Sequence, residues 1–105
     1  MRDKIPAAGR VPAPNQEEAD ELAIGILGWL TQDPDMMGRF LALSGIEASA
    51  IRQAAREPGF FAGLTGFLMN HEPTLIAFCE QNGLKAEFVA ACHHKLSGPE
   101  AEAWP

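Results

Sequence analysis

Residues 44–53 read SGIEASAIRQ, and thirty-eight positions later residues 82–91 read NGLKAEFVAA. In both, a small polar residue and a glycine precede a branched apolar residue, and a β-branched residue stands six places after the glycine. A glycine here ends a helix, because without a Cβ it enters the left-handed conformation at little cost. The branched residue then folds back onto the finished helix, and a second helix starts. Two objects share this spacing: a helix-turn-helix that reads DNA, and a helical hairpin that only packs.

Working outward from the glycines, the 38-residue shift also pairs Phe40 with Phe78, Ile46 with Leu84, Ala48 with Ala86 and Ile51 with Val89. Each first helix begins at a proline beside an acid. Asp33 can cap while Pro34 takes the first helical position, where its missing N–H costs nothing, and Glu72 and Pro73 stand at the second start. Along the first of these helices Met36, Phe40 and Leu43 form one stripe, with Met37, Leu41 and Ser44 beside it. The chain therefore carries two related helical hairpins.

Ahead of them, Asn15 is an N-cap followed by Glu17, Glu18, Asp20 and Glu21, which complement the positive end of a helix. Ala19, Leu22, Ala23, Ile26, Trp29 and Leu30 then recur at helical spacing as an inward face. Ile24 and Leu27 lie off that arc, so contacts on more than one side are expected. Between the hairpins, EPGFF (57–61) breaks the chain, and the helix that follows to about Asn70 aligns Gly59, Gly63, Gly66 and Asn70 on one strip. An interior glycine costs a helix about 1 kcal/mol against alanine. Close approach of another helix backbone, over Gly25 and Gly28, is the expected compensation, and whether that strip packs internally or on a second molecule is left open. A last helix runs from about Ala86 to Leu96, with Phe88, Val89, Cys92 and Leu96 inward, until Ser97, Gly98 and Pro99 stop it.

The sum is an all-α protein, a compact bundle of about six short helices; two copies of a unit are too few for a solenoid. Residues 1–14 form a Pro/Ala-rich disordered arm, 15–97 the helical domain, and 98–105 a flexible tail carrying Trp104. The chain of 105 residues is 47% apolar with no tyrosine, within the globular range. Its formal charge of −6 is concentrated in residues 17–97, where eleven acids face five bases. An acidic fold is repelled by phosphate backbones, and the three basic residues of the arm, Arg2, Lys4 and Arg10, are too few to reverse that. No signal peptide or membrane span is legible, so a cytoplasmic protein with Cys79 and Cys92 as reduced thiols is expected.

DNA reading requires side chains on the second helix of a hairpin that reach base edges. Residues 36–56 offer Arg52, Gln53 and Arg56 for this, whereas the second copy offers only Lys85, Glu87, Ala90, Ala91 and His93. Acids at Asp33, Asp35, Glu72 and Glu80 stand where phosphates would lie. A packing hairpin is the preferred reading, and a DNA-binding regulator the alternative. Cys92, His93 and His94 invite a metal, but successive helical residues diverge by about 100° and cannot converge on one ion. Cys92 falls on the buried arc, so no reactive thiol is expected. No carboxylate pair, Ser/His/Asp set or phosphate loop is present, and the Gly59 to Gly66 stretch lacks the lysine of a nucleotide loop. No catalysis, cofactor or metal is expected. What remains is association with an unidentified protein or a second copy, through a surface of Met36, Met37, Met69 and Trp104, since thioethers adapt to irregular partners and an exposed Trp tends to dock.

The stretch from EADELAIGILGWL through GRFLALSGI, the EPGF joint and the late N-G-L turn resembles a family of small helical bacterial proteins, mainly alphaproteobacterial, catalogued as domain of unknown function family 3572. The resemblance covers about residues 17–96. It implies an all-helical cytoplasmic protein, and it assigns no activity and no functional residues.

Overall fold

A computed structural model describes residues 13–102, with side chains as far as Gly98. The arm assigned to residues 1–14 falls almost wholly outside that span, as does Trp104. The elements are α1 (Gln16–Thr31), α2 (Pro34–Ser44), a 3-10 turn (Ala48–Ala50), α3 (Ile51–Ala54), α4 (Phe60–Met69), α5 (Glu72–Asn82) and α6 (Ala86–Glu102). Among the described residues there is no strand, and the fold is an all-α bundle.

The helix ends follow local chemistry. Asn15 caps α1 in a full capping box: its side chain accepts from the Glu18 N–H at 2.7 Å, and the Glu18 carboxylate accepts from the Asn15 N–H at 2.9 Å. Asp33 accepts from the Met36 N–H at 3.2 Å with Pro34 in the first turn of α2. Both hairpin glycines are left-handed, Gly45 with φ 77° and Gly83 with φ 66°. The repeat holds to the residue: α2 and α5 each span 11 residues, displaced by 38.

The core lies where α1, α4 and α6 meet. Ile26 and Leu30 of α1, Leu64 and Leu68 of α4, and Val89 and Cys92 of α6 are fully buried. Each large apolar side chain withdrawn from water stabilises the fold by roughly 1.5–3 kcal/mol. Helix α2 lies on α1 and α4, and α5 on α4 and α6. Phe40 of α2 meets Phe60 and Phe67 edge-on at 6.1 and 5.5 Å, while its repeat-mate Phe78 meets Trp29 at 5.3 Å. Both phenylalanines are buried, as an inward i position on each first helix requires.

Four expectations are corrected. Ile24 is 56% exposed: no second element comes to that side of α1, although Leu27 does pack against the core. Leu43, placed on the inward stripe of α2, is 73% exposed, although Phe40 three residues earlier is buried. No helix backbone covers the glycine strip: a Cβ built at Gly25, Gly28, Gly59 or Gly63 would meet nothing within 4 Å. Gly66 alone is closely approached, and by a side chain, with His93 Cε1 3.3 Å from its Cβ position. Finally, Gly98 does break α6, at φ 73° and ψ 171°, but helical backbone resumes as far as Glu102. The residue before a proline is driven to an extended ψ, which accounts for the break.

Candidate functional site

The methionines of the expected surface do not gather. Met36 is half-buried between the hairpins, where its sulfur accepts from the Thr74 hydroxyl at 3.7 Å. These are equivalent positions of the two repeats, so the copies touch at matching residues. Met37 also packs against the core, and Met69 is exposed at the end of α4. Two of the three are thus packing residues, the ordinary use of an adaptable thioether.

The residues of the DNA alternative do come together. Arg52, Gln53 and Arg56 share an exposed face with Ser49 and Glu57 around a hollow of about 420 Å³. The helix presenting them is short, however: α3 has four residues after a three-residue 3-10 turn. A segment of that length rises only about 12 Å.

A larger hollow lies elsewhere, between α2 and α4. It has a volume of about 620 Å³ and is lined by Phe40, Leu43 and Phe67, with Gly63 and Gly66 on its floor. Arg39, Ser44, Asn70 and His71 supply its polar edge. Of the glycine strip, Gly63 is open beside this groove, Gly66 lines it but has His93 at its Cβ position, and Gly59 borders a separate hollow. Phe40 and Phe67 are fixed in edge-to-face contact, so that wall is rigid. His71 is held by its Nδ1, 2.6 Å from the Thr74 hydroxyl. Sequence reasoning passed over Arg39 and read Leu43 as inward. The available signal was the run of glycines on α4, whose missing side chains leave room on that side.

The remaining chemistry-bearing side chains are used in packing. Cys79 and Cys92 are free, buried thiols. Burial raises both above the ordinary thiol range, with Glu87 adding to the effect at Cys79 and Glu18 at Cys92. His93 leans over Gly66, with Nδ1 2.7 Å from the hydroxyl of fully buried Thr65. That hydroxyl has one proton; donated to the Ala62 carbonyl at 3.1 Å, it leaves the oxygen to accept from Nδ1–H. Burial lowers the His93 pKa, contact with the Ala62 carbonyl partly opposes this, and His94 lowers it further. Cys92 and His93 therefore face different surroundings, as successive helical residues must. Among the described residues no three His, Cys, Asp or Glu side chains are grouped to hold a metal ion. Nor is any described helix long and apolar enough to cross a membrane.

A family model described as a protein of unknown function (DUF3572) matches residues 16–99, nearly the whole of the described bundle. The chain belongs to this family. Its matched span begins with α1 and ends at the Gly98 break, so bundle and family domain coincide. No curated protein and no solved structure matches the chain.

Proposed function

We propose that this member of the family is a non-catalytic helical domain that works by binding a protein segment in the groove between α2 and α4. One observation carries the reading: Leu43, 73% exposed, stands over an open hollow whose wall is completed by the edges of the buried Phe40 and Phe67. A volume of about 620 Å³ lies in the usual range for binding clefts, about 300–1,000 Å³. Gly63, with nothing within 4 Å of its Cβ position, leaves room there for a partner segment. The non-catalytic part draws support from the buried thiols and from His93, whose ring is held on Thr65. A cytoplasmic setting belongs to the same reading, consistent with free thiols.

A photo-crosslinking residue at position 43, compared with the same residue at exposed position 24, tests this in host cells. Position 43 should trap a polypeptide and position 24 should not; equal yields, or none from either, remove the groove from consideration.

A second reading is favoured by the gathering of Arg52, Gln53 and Arg56 on one face: contact with a nucleic acid backbone. It requires salt-sensitive retardation of host DNA that Arg52→Ala and Arg56→Ala each weaken. Absence of retardation at low salt eliminates it.

A further inference from the structure

Internal repetition says what kind of group suits the groove. On α5 the repeat-mates of Phe40 and Leu43 are Phe78 and Gln81, and that ridge is covered. The indole of Trp29 packs edge-on against Phe78 at 5.3 Å and donates to the Gln81 side chain at 2.8 Å. On α2 the same i, i+3 ridge lines the open groove, with Leu43 73% exposed. One hairpin thus has its whole ridge covered by an indole, whereas on the other Phe40 is taken up by Phe60 and Phe67 and Leu43 is left uncovered. An apolar leucine in place of a hydrogen-bonding glutamine leaves the ring to be held by contact alone.

The chain has one other tryptophan. It stands next to last in the segment EAEAWP, residues 100–105, which also carries Glu100 and Glu102. The groove edge carries the exposed cation Arg39 in a chain whose net charge is −6. An acidic segment with an aromatic end therefore matches the groove in charge and in apolar content, whereas most of the remaining acidic surface repels it.

The direction of α6 sets whose groove it reaches. His93 lies over Gly66, while Leu96, one turn later, borders a hollow with Gly59, Phe61 and Ala62. Helix α6 therefore runs antiparallel to α4 and leaves the bundle at the start of α4. The groove extends the opposite way, to Asn70 and His71. The non-helical backbone at Gly98 interrupts the α6 axis ahead of residues 99–102.

We infer that residues 100–105 of one copy seat in the α2–α4 groove of a second copy, with Trp104 against Leu43 and the glutamates toward Arg39. This rests on the groove being a protein-binding site, and it answers what the hollow beside Leu43 is open for. It makes the association self-directed: a groove and a plug on the same chain.

Sedimentation over a wide concentration range, with helix content followed by circular dichroism, tests it on the full chain. Wild type should form a two-chain species. Trp104→Ala should weaken it about 30-fold, as truncating a central aromatic anchor does, and Leu43→Glu should abolish it, both with unchanged helix content. Mixing the two variants should restore association, because one supplies an intact groove and the other an intact segment. A wild type that stays a single chain at every concentration overturns the inference. In that case a labelled peptide of residues 99–105 that binds the Trp104→Ala chain assigns the groove to the chain's own tail. A two-chain species lost with Leu43→Glu but indifferent to Trp104→Ala also overturns it, leaving the groove with another occupant. Indifference to both variants rejects the groove reading itself.

Discussion

The two hairpins share a plan and differ in how much of the molecule holds them. Their first helices match in length, in buried phenylalanine and in left-handed glycine. Their second helices diverge. Helix α6 packs along both α1 and α4, and its Val89 is fully buried; α3 is four residues long and chiefly abuts the 3-10 turn before it, with Ile51 half-buried. The caps diverge too. Leu84 N–H returns to the Cys79 carbonyl at 3.0 Å, whereas the equivalent Ile46 N–H finds only the Ser44 hydroxyl at 3.3 Å. At the helix starts Asp33 caps a backbone N–H, while His71 engages the Thr74 side chain. One copy serves the core. The other leaves Leu43 uncovered, and that is where the groove lies.

The largest test of this contrast concerns what the hairpins share. Phe40→Ala and Phe78→Ala should each cost about 3–5 kcal/mol in denaturant unfolding, since both rings are equally buried. A loss below about 1 kcal/mol at Phe40 would detach the first hairpin from the core. The next concerns what they do not share. Val89→Ala should cost about 2–3 kcal/mol and Ile51→Ala under about 1 kcal/mol, although isoleucine loses more atoms. The reverse order would break the comparison.

A smaller pair of opposite sign sits on α4, the helix between the hairpins. Gly63→Ala should stabilise by up to about 1 kcal/mol, because nothing stands near its Cβ position and alanine favours helix. Gly66→Ala should gain less or destabilise, because His93 must move. Equal gains in melting temperature would mean that His93 is not seated on Gly66.

The smallest effect is in pH. Burial depresses the folded-state pKa of His93 below its unfolded value of about 6.5, so the unfolded chain binds the extra proton first. Stability from this residue is complete above about pH 6.5 and falls as pH drops from there through the folded value. Melting temperatures of wild type and His93→Gln should converge or cross between pH 7.5 and 5, with wild type losing more. Parallel curves would place His93 in solvent.

Much of the fold was legible because its signals are local. A left-handed glycine, a proline in a first turn and an Asn with Glu three places on each act within one helical turn, so the boundaries of α1, α2 and α5 follow from single residues and their neighbours. Where Met36 and Met37 would pack was not legible for the converse reason. Apolar residues stand on more than one side of α1 and α2, and helical spacing groups side chains without saying which group meets a neighbour. Leu43 reads as inward beside Phe40, yet only Phe40 has α4 beneath it.

By itself, then, the sequence determined an all-helical chain, its repeat and its helix ends, since backbone conformation there is decided by the residues that adopt it. Tertiary structure alone decided that α6 joins the core while α3 stays at the edge, that His93 rather than a helix lies on the glycine strip, and that Leu43 faces an open groove. Those outcomes depend on which surfaces are brought together across the chain. Burial, and with it pKa and binding capacity, is a property of the pair of surfaces and not of either segment.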